Sequence, residues 1–186
     1  MMSDATDLLR RALQAHSMRC PEQAALASQF LALLDDPLDP FQRSRLAGHF
    51  TGSAWLVSAD GQRALLMHHR KLDRWLQPGG HADGDRDLAA VALKEAQEES
   101  GLPSLRLEDG EIFDLDRHWI PERGDVPGHW HHDVRYVIRN AGSEEFVINA
   151  ESLALAWREV ADIAADPASD QSLARMAGRW LGARSE

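Results

Sequence analysis

The sequence predicts an α/β protein built on a mixed sheet. Three observations carry this. Strand-like and helix-like periodicities interleave along the chain, strands recur in hairpin-like pairs, and an apolar fraction of 44% over 186 residues is enough to fill one sizeable core. Interleaving alone would predict a parallel sheet, but the frequent hairpins require antiparallel pairs as well.

In chain order, residues 4–16 and 21–35 read as two helices. Leu8, Leu9, Ala12 and Leu13 form an apolar stripe on the first, and Leu26, Phe30, Leu33 and Leu34 form one on the second. Pro21 suits a helix start, Asp35-Asp36-Pro37 ends the second helix, and 37–41 is a connector. From Phe50 the period changes. Phe50–Ser58 and Arg63–His69 read as strands joined at Asp60-Gly61. Trp75–Gly80 is a turn-rich lead into a helix over Leu88–Ser100. Glu111–Ile120 and Trp130–Ile138 form a second hairpin, Phe146–Asn149 a short strand, Ala154–Val160 a strand or a turn into a short helix, and Gln171–Leu181 a closing helix.

Composition narrows the function. A formal charge of −10 disfavours nonspecific binding to nucleic acid or anionic membranes, although a bound divalent cation can still invert the local field for a phosphate ligand. Cys20 is the only cysteine, which excludes an internal disulfide and a cysteine-based zinc cluster. With no signal-like or membrane-length apolar run, a cytoplasmic protein is expected.

The most informative pattern is Glu95, Glu98 and Glu99 on the helix Leu88–Ser100. Offsets of three and four place these carboxylates within roughly 100° of one helix face, beside the apolar stripe of Leu88, Ala89, Ala92, Leu93 and Ala96. Clustered carboxylates at the edge of a buried face repel one another unless cations compensate, and oxygen-only ligands suit Mg²⁺ or Mn²⁺. Glycines bracket the helix, Gly79-Gly80 before it and Gly101 after it.

These residues resemble the Nudix box of the MutT-like Nudix hydrolase superfamily, G-x5-E-x7-R-E-U-x-E-E-x-G-U with U apolar. The match lies at Gly80, Glu95, Ala96, Glu98, Glu99, Gly101 and Leu102. Lys94 replaces the usual Arg, and Arg86 stands where the first Glu should be. The string Gly79–Asp85 resembles the family loop with one residue deleted, so that Asp83 or Asp85 would stand in for that Glu and pair with Lys94. The resemblance implies a Nudix-type α/β/α sandwich over residues 46–186 with a helical extension over 1–45. It implies a Mg²⁺-dependent pyrophosphohydrolase, with Mn²⁺ as an alternative cofactor, acting on a nucleoside diphosphate derivative or similar small molecule. Gly80, Glu95, Glu98 and Glu99 would be the metal ligands. The general base would be Glu151 or Glu98, with Glu99 also in the catalytic set.

Other groups are expected around the cleft. His69 and Arg70 end the second strand where basic groups would meet phosphate, and His81 follows the glycine pair. In His129–Tyr136, period-2 alternation puts His131, Asp133 and Arg135 on one face, and the preceding strand offers Asp114, Asp116 and His118 on one face. This charged wall reads either as substrate recognition, as a second metal site, or as an internal salt-bridge ladder. Two further functional readings compete with the enzyme: a catalytically weak nucleotide sensor of the same fold, and a His-rich metal carrier. The first two helices would form a homodimer interface or cover the cleft.

Overall fold

The structure is a computed structural model and describes residues 4–70, 73–148 and 152–183. A central sheet is sandwiched between helices on both faces, the α/β/α arrangement. The first helix, α1 (Asp4–Arg19), is followed by a 3₁₀ turn at Pro21–Gln23 and by α2 (Ala24–Leu34). Next come strands β1 (His49–Val57), β2 (Arg63–His69), β3 (Arg74–Leu76) and β4 (Gly79–His81), then helix α3 (Leu88–Ser100). Strands β5 (Leu105–Ile120), β6 (His129–Asn140) and β7 (Ser152–Glu159) and helices α4 (Val160–Ala165) and α5 (Gln171–Ala183) complete the chain.

The strand order is β3-β2-β1-β6-β5, with β4 also pairing with β1 and β7 with β2. Among the described residues only β1 and β6 run parallel; the remaining pairs are antiparallel, so the sheet is mixed. Strand β1 meets β2 only at its end, Val57 opposite Ala64, while its first half receives β4 at residues 51–53. The two neighbours on that side of β1 therefore diverge, and the cleft described below opens along the split.

Two differences from the expected elements have local causes. Trp75–Gly80 is not only a turn: its ends are two three-residue strands, β3 and β4, because β1 and β2 each leave a ladder edge free beside them. Residues 146–148 form no strand; the Val147 amide donates to the Ser100 carbonyl at 2.8 Å, which ties the segment to the end of α3 instead of to a sheet edge. Asn149, the last residue of that expected strand, lies outside the described residues.

Helices α1, α2 and α3 cover one face, where Leu13, Phe30, Phe50, Leu88, Val91, Leu115 and Val134 share one core. Helices α4 and α5 cover the other, with Trp55, Leu66, Ile163, Leu173, Met176 and Trp180 packed together. The N-terminal segment is also held by polar contacts. Buried Gln23 donates to the Asp114 carboxylate at 2.9 Å and accepts from the Leu115 amide at 3.2 Å. His16 lies 2.7 Å from the Gln23 amide oxygen and 3.0 Å from the Ile112 carbonyl.

The register of β5 on β6 sets Asp114 opposite Arg135, Asp116 opposite Asp133, and His118 opposite His131. Arg135 is 2% exposed. Its guanidinium meets Asp133 at 2.8 Å, Asp114 at 3.2 Å and Asp116 at 3.3 Å, while Arg175 from α5 reaches Asp114 at 2.8 Å and Asp116 at 3.0 Å. A buried charge left without partners is strongly destabilising. Arg135→Met should therefore lower stability by about 3–5 kcal/mol, read from urea unfolding, because three carboxylates lose their shared cation. Burial alone would raise the Asp116 carboxyl, but the His118 hydrogen bond and the Arg135 charge hold it below its ordinary 3.8. The folded carboxyl thus titrates lower than the unfolded one. Its contribution is complete above the unfolded value and fades as pH falls below it, so Asp116→Asn should flatten the acid limb of a stability–pH curve.

Candidate active site

Helix α3 begins and ends as its sequence requires. The Asp87 carboxylate accepts from the Ala90 amide at 3.0 Å as N-cap, and Gly101 closes the helix at φ +68°, where a side chain would be strained. Leu88, Val91, Ala92 and Ala96 are buried against the sheet, which turns Glu95, Glu98 and Glu99 toward the Gly79–His81 strand and the cleft.

The three acids differ in setting. Glu99 is 4% exposed and accepts from the Gly79 amide at 3.0 Å. The Glu95 carboxylate lies so close over Gly80 that a Cβ there would sit 2.5–2.7 Å from its carboxyl atoms. Glu98 is exposed and lies 3.8 Å from Lys94. Glu95 and Glu99 thus lie against Gly79-Gly80, and Glu98 borders the same cleft; carboxylate oxygens are a donor type that fits a hard divalent cation such as Mg²⁺ or Mn²⁺. The bare Cα of Gly80 is what admits Glu95.

The loop before the helix is wired differently from the sequence expectation. Asp83 pairs with Arg43, not with Lys94. Asp85 accepts from the Asp87 amide at 3.0 Å and so shapes the N-cap turn. Arg86 reaches Asp39 at 3.2 Å and lies over the Phe41 ring at 4.8 Å. Lys94 directs its charge to Glu98, one turn on.

These groups border a cleft of about 940 Å³. Of the expected ligand-contacting residues, His69, His81, His131, Asp133 and Arg135 all border it. Arg70 points to the neighbouring strand, donating to the Ser152 carbonyl at 3.2 Å. Asp133 is 1% exposed and accepts from Thr51 at 2.8 Å and Ser53 at 2.7 Å in addition to Arg135. Asp133 and Arg135 are thus the floor of the cleft, held by internal partners. Glu151 lies outside the described residues.

Several cleft residues escaped the sequence reading. Thr51 and Ser53 alternate with His49 along β1, a period-2 signal at the start of a strand that otherwise reads as apolar. Arg175 and Ser172 come from the closing helix, and Arg43 from the stretch between the connector and β1; neither segment has a motif. Arg117 stacks over Trp130 at 3.7 Å on the outer wall.

Comparison with known proteins adds four findings. A family model described as NUDIX domain matches residues 49–177. A Mycobacterium tuberculosis protein with the provisional name 8-oxo-dGTP diphosphatase 3 is 31% identical over 147 residues, covering 69% of this chain and 62% of its own length. The chain thus spans less than two thirds of that relative. A solved NUDIX-family hydrolase from Clostridium perfringens is 26% identical with a TM-score of 0.57, covering 73% of this chain and 97% of that one. A MutT protein from Methanosarcina mazei shares the fold at 16% identity and a TM-score of 0.58, covering 76% of this chain and 99% of that one.

If Glu95 needs the space over Gly80, filling that space should displace it alone. Gly80→Ala is expected to weaken Mn²⁺ binding by about tenfold or more in a calorimetric titration while leaving the circular dichroism spectrum unchanged.

Proposed function

The chain belongs to the NUDIX domain family, and from that premise we propose that it is a Mg²⁺-dependent pyrophosphohydrolase acting on the diphosphate linkage of a nucleoside diphosphate derivative. The observation that carries the reading is that Glu95 and Glu99 lie against Gly79-Gly80 and, with Glu98, border one cleft large enough for a nucleotide. A pure binding module has no chemical need for all three acids. The provisional name of the Mycobacterium tuberculosis relative puts oxidised deoxynucleoside triphosphates among the substrates to test.

In this reading Gly80, Glu95, Glu98 and Glu99 hold the metal. When bound, a divalent cation lowers the pKa of a coordinated water and neutralises diphosphate oxygens. Glu99, fixed by the Gly79 amide, sets the position of the strand that faces the helix. Glu98, at the exposed edge of α3, can accept a proton from an attacking water; Glu151 is the alternative base. The Arg135 network keeps the cleft floor rigid and closed to water, and His69 supplies a polar contact along the wall that His81 and His131 border. Arg70 is assigned to the wall through the strand end that it braces. The N-terminal helices, residues 1–45, serve as an extension that buttresses the sheet behind this floor.

One observation favours a second reading, a catalytically weak nucleotide sensor: the loop acid Asp83 is paired with Arg43 and not with the box lysine. Activity decides between the two. Purified protein incubated with Mg²⁺ and a panel of nucleoside triphosphates (8-oxo-dGTP included), nucleotide sugars, dinucleotides and coenzyme derivatives should release product from at least one member. Glu99→Gln should reduce that rate by about a hundredfold or more with the fold intact. A Glu98→Gln/Glu99→Gln double variant that still turns over would overturn the assignment, and a wild type that binds without turnover would favour the sensor.

A further inference from the structure

We propose that His49, His81, His129 and His131 form a second metal site, built for a divalent transition ion such as Zn²⁺, in the wall of the cleft beside the carboxylates. One ring nitrogen from each of the four lies within 4.8 Å of the others. Sheet topology brings them together. On β1, His49 is the direct partner of His131 on β6, and Thr51, on the same face, is the partner of His81 on β4. His129 lies two residues before His131 and so shares its face.

Tautomers separate this cluster from a chance gathering of rings. The Nδ1 of His49 is 3.2 Å from the Arg45 carbonyl, and the Nδ1 of His129 is 2.9 Å from the Pro127 carbonyl. A carbonyl can only accept, so both Nδ1 atoms carry the proton and both Nε2 atoms present lone pairs. For His49 that Nε2 is buried without a hydrogen-bond partner, in a residue only 1% exposed. The Nε2 of His129 faces the Nε2 of His131 at 3.2 Å. A carbonyl that fixes one ring nitrogen while the other aims at a shared point is how proteins orient metal-binding imidazoles. Ligands at 2.0–2.1 Å in a tetrahedron stand about 3.4 Å apart, so the His129–His131 spacing already suits an ion, and the remaining nitrogens, all within 4.8 Å of one another, would draw in around it.

Charge and ligand type choose the ion. With Nδ1 held by a carbonyl, His49 and His129 present Nε2 lone pairs as neutral nitrogen donors. Arg43 and Asp83, the charged groups next to His81, are engaged with each other, and His118 turns its Nδ1 to Asp116 at 2.9 Å. The set is therefore nitrogen only. Imidazoles favour Zn²⁺, Co²⁺, Ni²⁺ or Cu²⁺ over Mg²⁺, and four protein ligands close the coordination sphere of Zn²⁺. A closed site is structural. It would clamp β4 to β1 and β6, and with His81 it would fix the adjacent Gly80 against which Glu95 rests.

Metal content tests this independently of any hydrolase activity. Protein purified without a His tag, incubated with Zn²⁺ and desalted, should retain about one equivalent by mass spectrometry, and its Co²⁺ form should show a tetrahedral visible spectrum. The ion should survive in a Glu95→Gln/Glu99→Gln background, which removes the carboxylate site. It should be lost in His81→Gln and in His131→Gln, each with an unchanged circular dichroism spectrum, and kept in His68→Gln, whose ring lies outside the cluster. Wild type that retains no ion, or an ion that survives both cluster substitutions, overturns the proposal.

Discussion

A guanidinium at 2% exposure can persist only among carboxylates, and much of this molecule is arranged around that requirement at Arg135. Its three partners come from two strands: Asp133 from its own strand, and Asp114 and Asp116 from β5. Three acids around one cation leave negative charge in excess. Arg175 from α5 meets Asp114 and Asp116, Arg179 approaches Asp114 at 3.6 Å, and Gln23 donates to the same carboxylate from the segment between α1 and α2. Thr51 and Ser53 on β1 complete the shell around Asp133. The balance of one buried cluster thereby specifies the register of β5 on β6, the docking of α5 and the docking of the N-terminal helices. Such a network carries a desolvation cost that an apolar core would not, so its value here lies in position more than in stability.

That floor also locates the site. Asp133 holds Thr51 and Ser53, whose strand partners are His81 and Gly79, and the Gly79 amide binds Glu99 on α3. A short chain of contacts thus runs from the buried cluster to the carboxylate helix through the three residues of β4. The same three residues face two ways. Gly79 and Gly80 lie against the acids, while His81 turns to the imidazoles of β1 and β6. A strand without side chains at its first two positions is what lets α3 come close enough for Glu95 to cover Gly80.

Much of this was legible in the sequence, and the parts that were not have physical reasons. The limits of α3, the β1–β2 hairpin and the alternation of His131, Asp133 and Arg135 against Asp114, Asp116 and His118 follow from local periodicity, and the structure has them. What local pattern cannot supply is the partner chosen among equals. Asp83 could meet Lys94 or Arg43, and Arg43 won because the stretch between the connector and β1 brings it to the loop. Residues 146–148 have strand-forming side chains, yet a strand needs a free edge, and the end of α3 offered a hydrogen bond instead. Gln23 reads as a helix-lead residue like many others; only the fold gives it a buried carboxylate to satisfy. The four-histidine cluster was half visible, since His129 and His131 lie two residues apart on one strand, while His49 and His81 join them only through β1 pairing on both sides.

The two ligand sets at β4 also explain how an acidic chain could keep two kinds of metal apart. Hard cations such as Mg²⁺ hold their waters tightly and seek oxygen, so a wholly imidazole pocket offers them little, whereas a carboxylate cluster offers them charge. A borderline ion meets the opposite preference in the imidazole pocket, where its ligands are neutral and already oriented by the Arg45 and Pro127 carbonyls. Separation therefore needs no difference in overall charge between the sites, only in the donor atoms facing each side of one strand. It also needs the strand to stay put, because a shift of β4 along β1 would move His81 out of one set and Gly80 out of the other. The buried Arg135 cluster, through Asp133 and the hydroxyls of Thr51 and Ser53, holds β1 against β6 beneath that strand, so the positions of both donor sets trace back to the one buried cation.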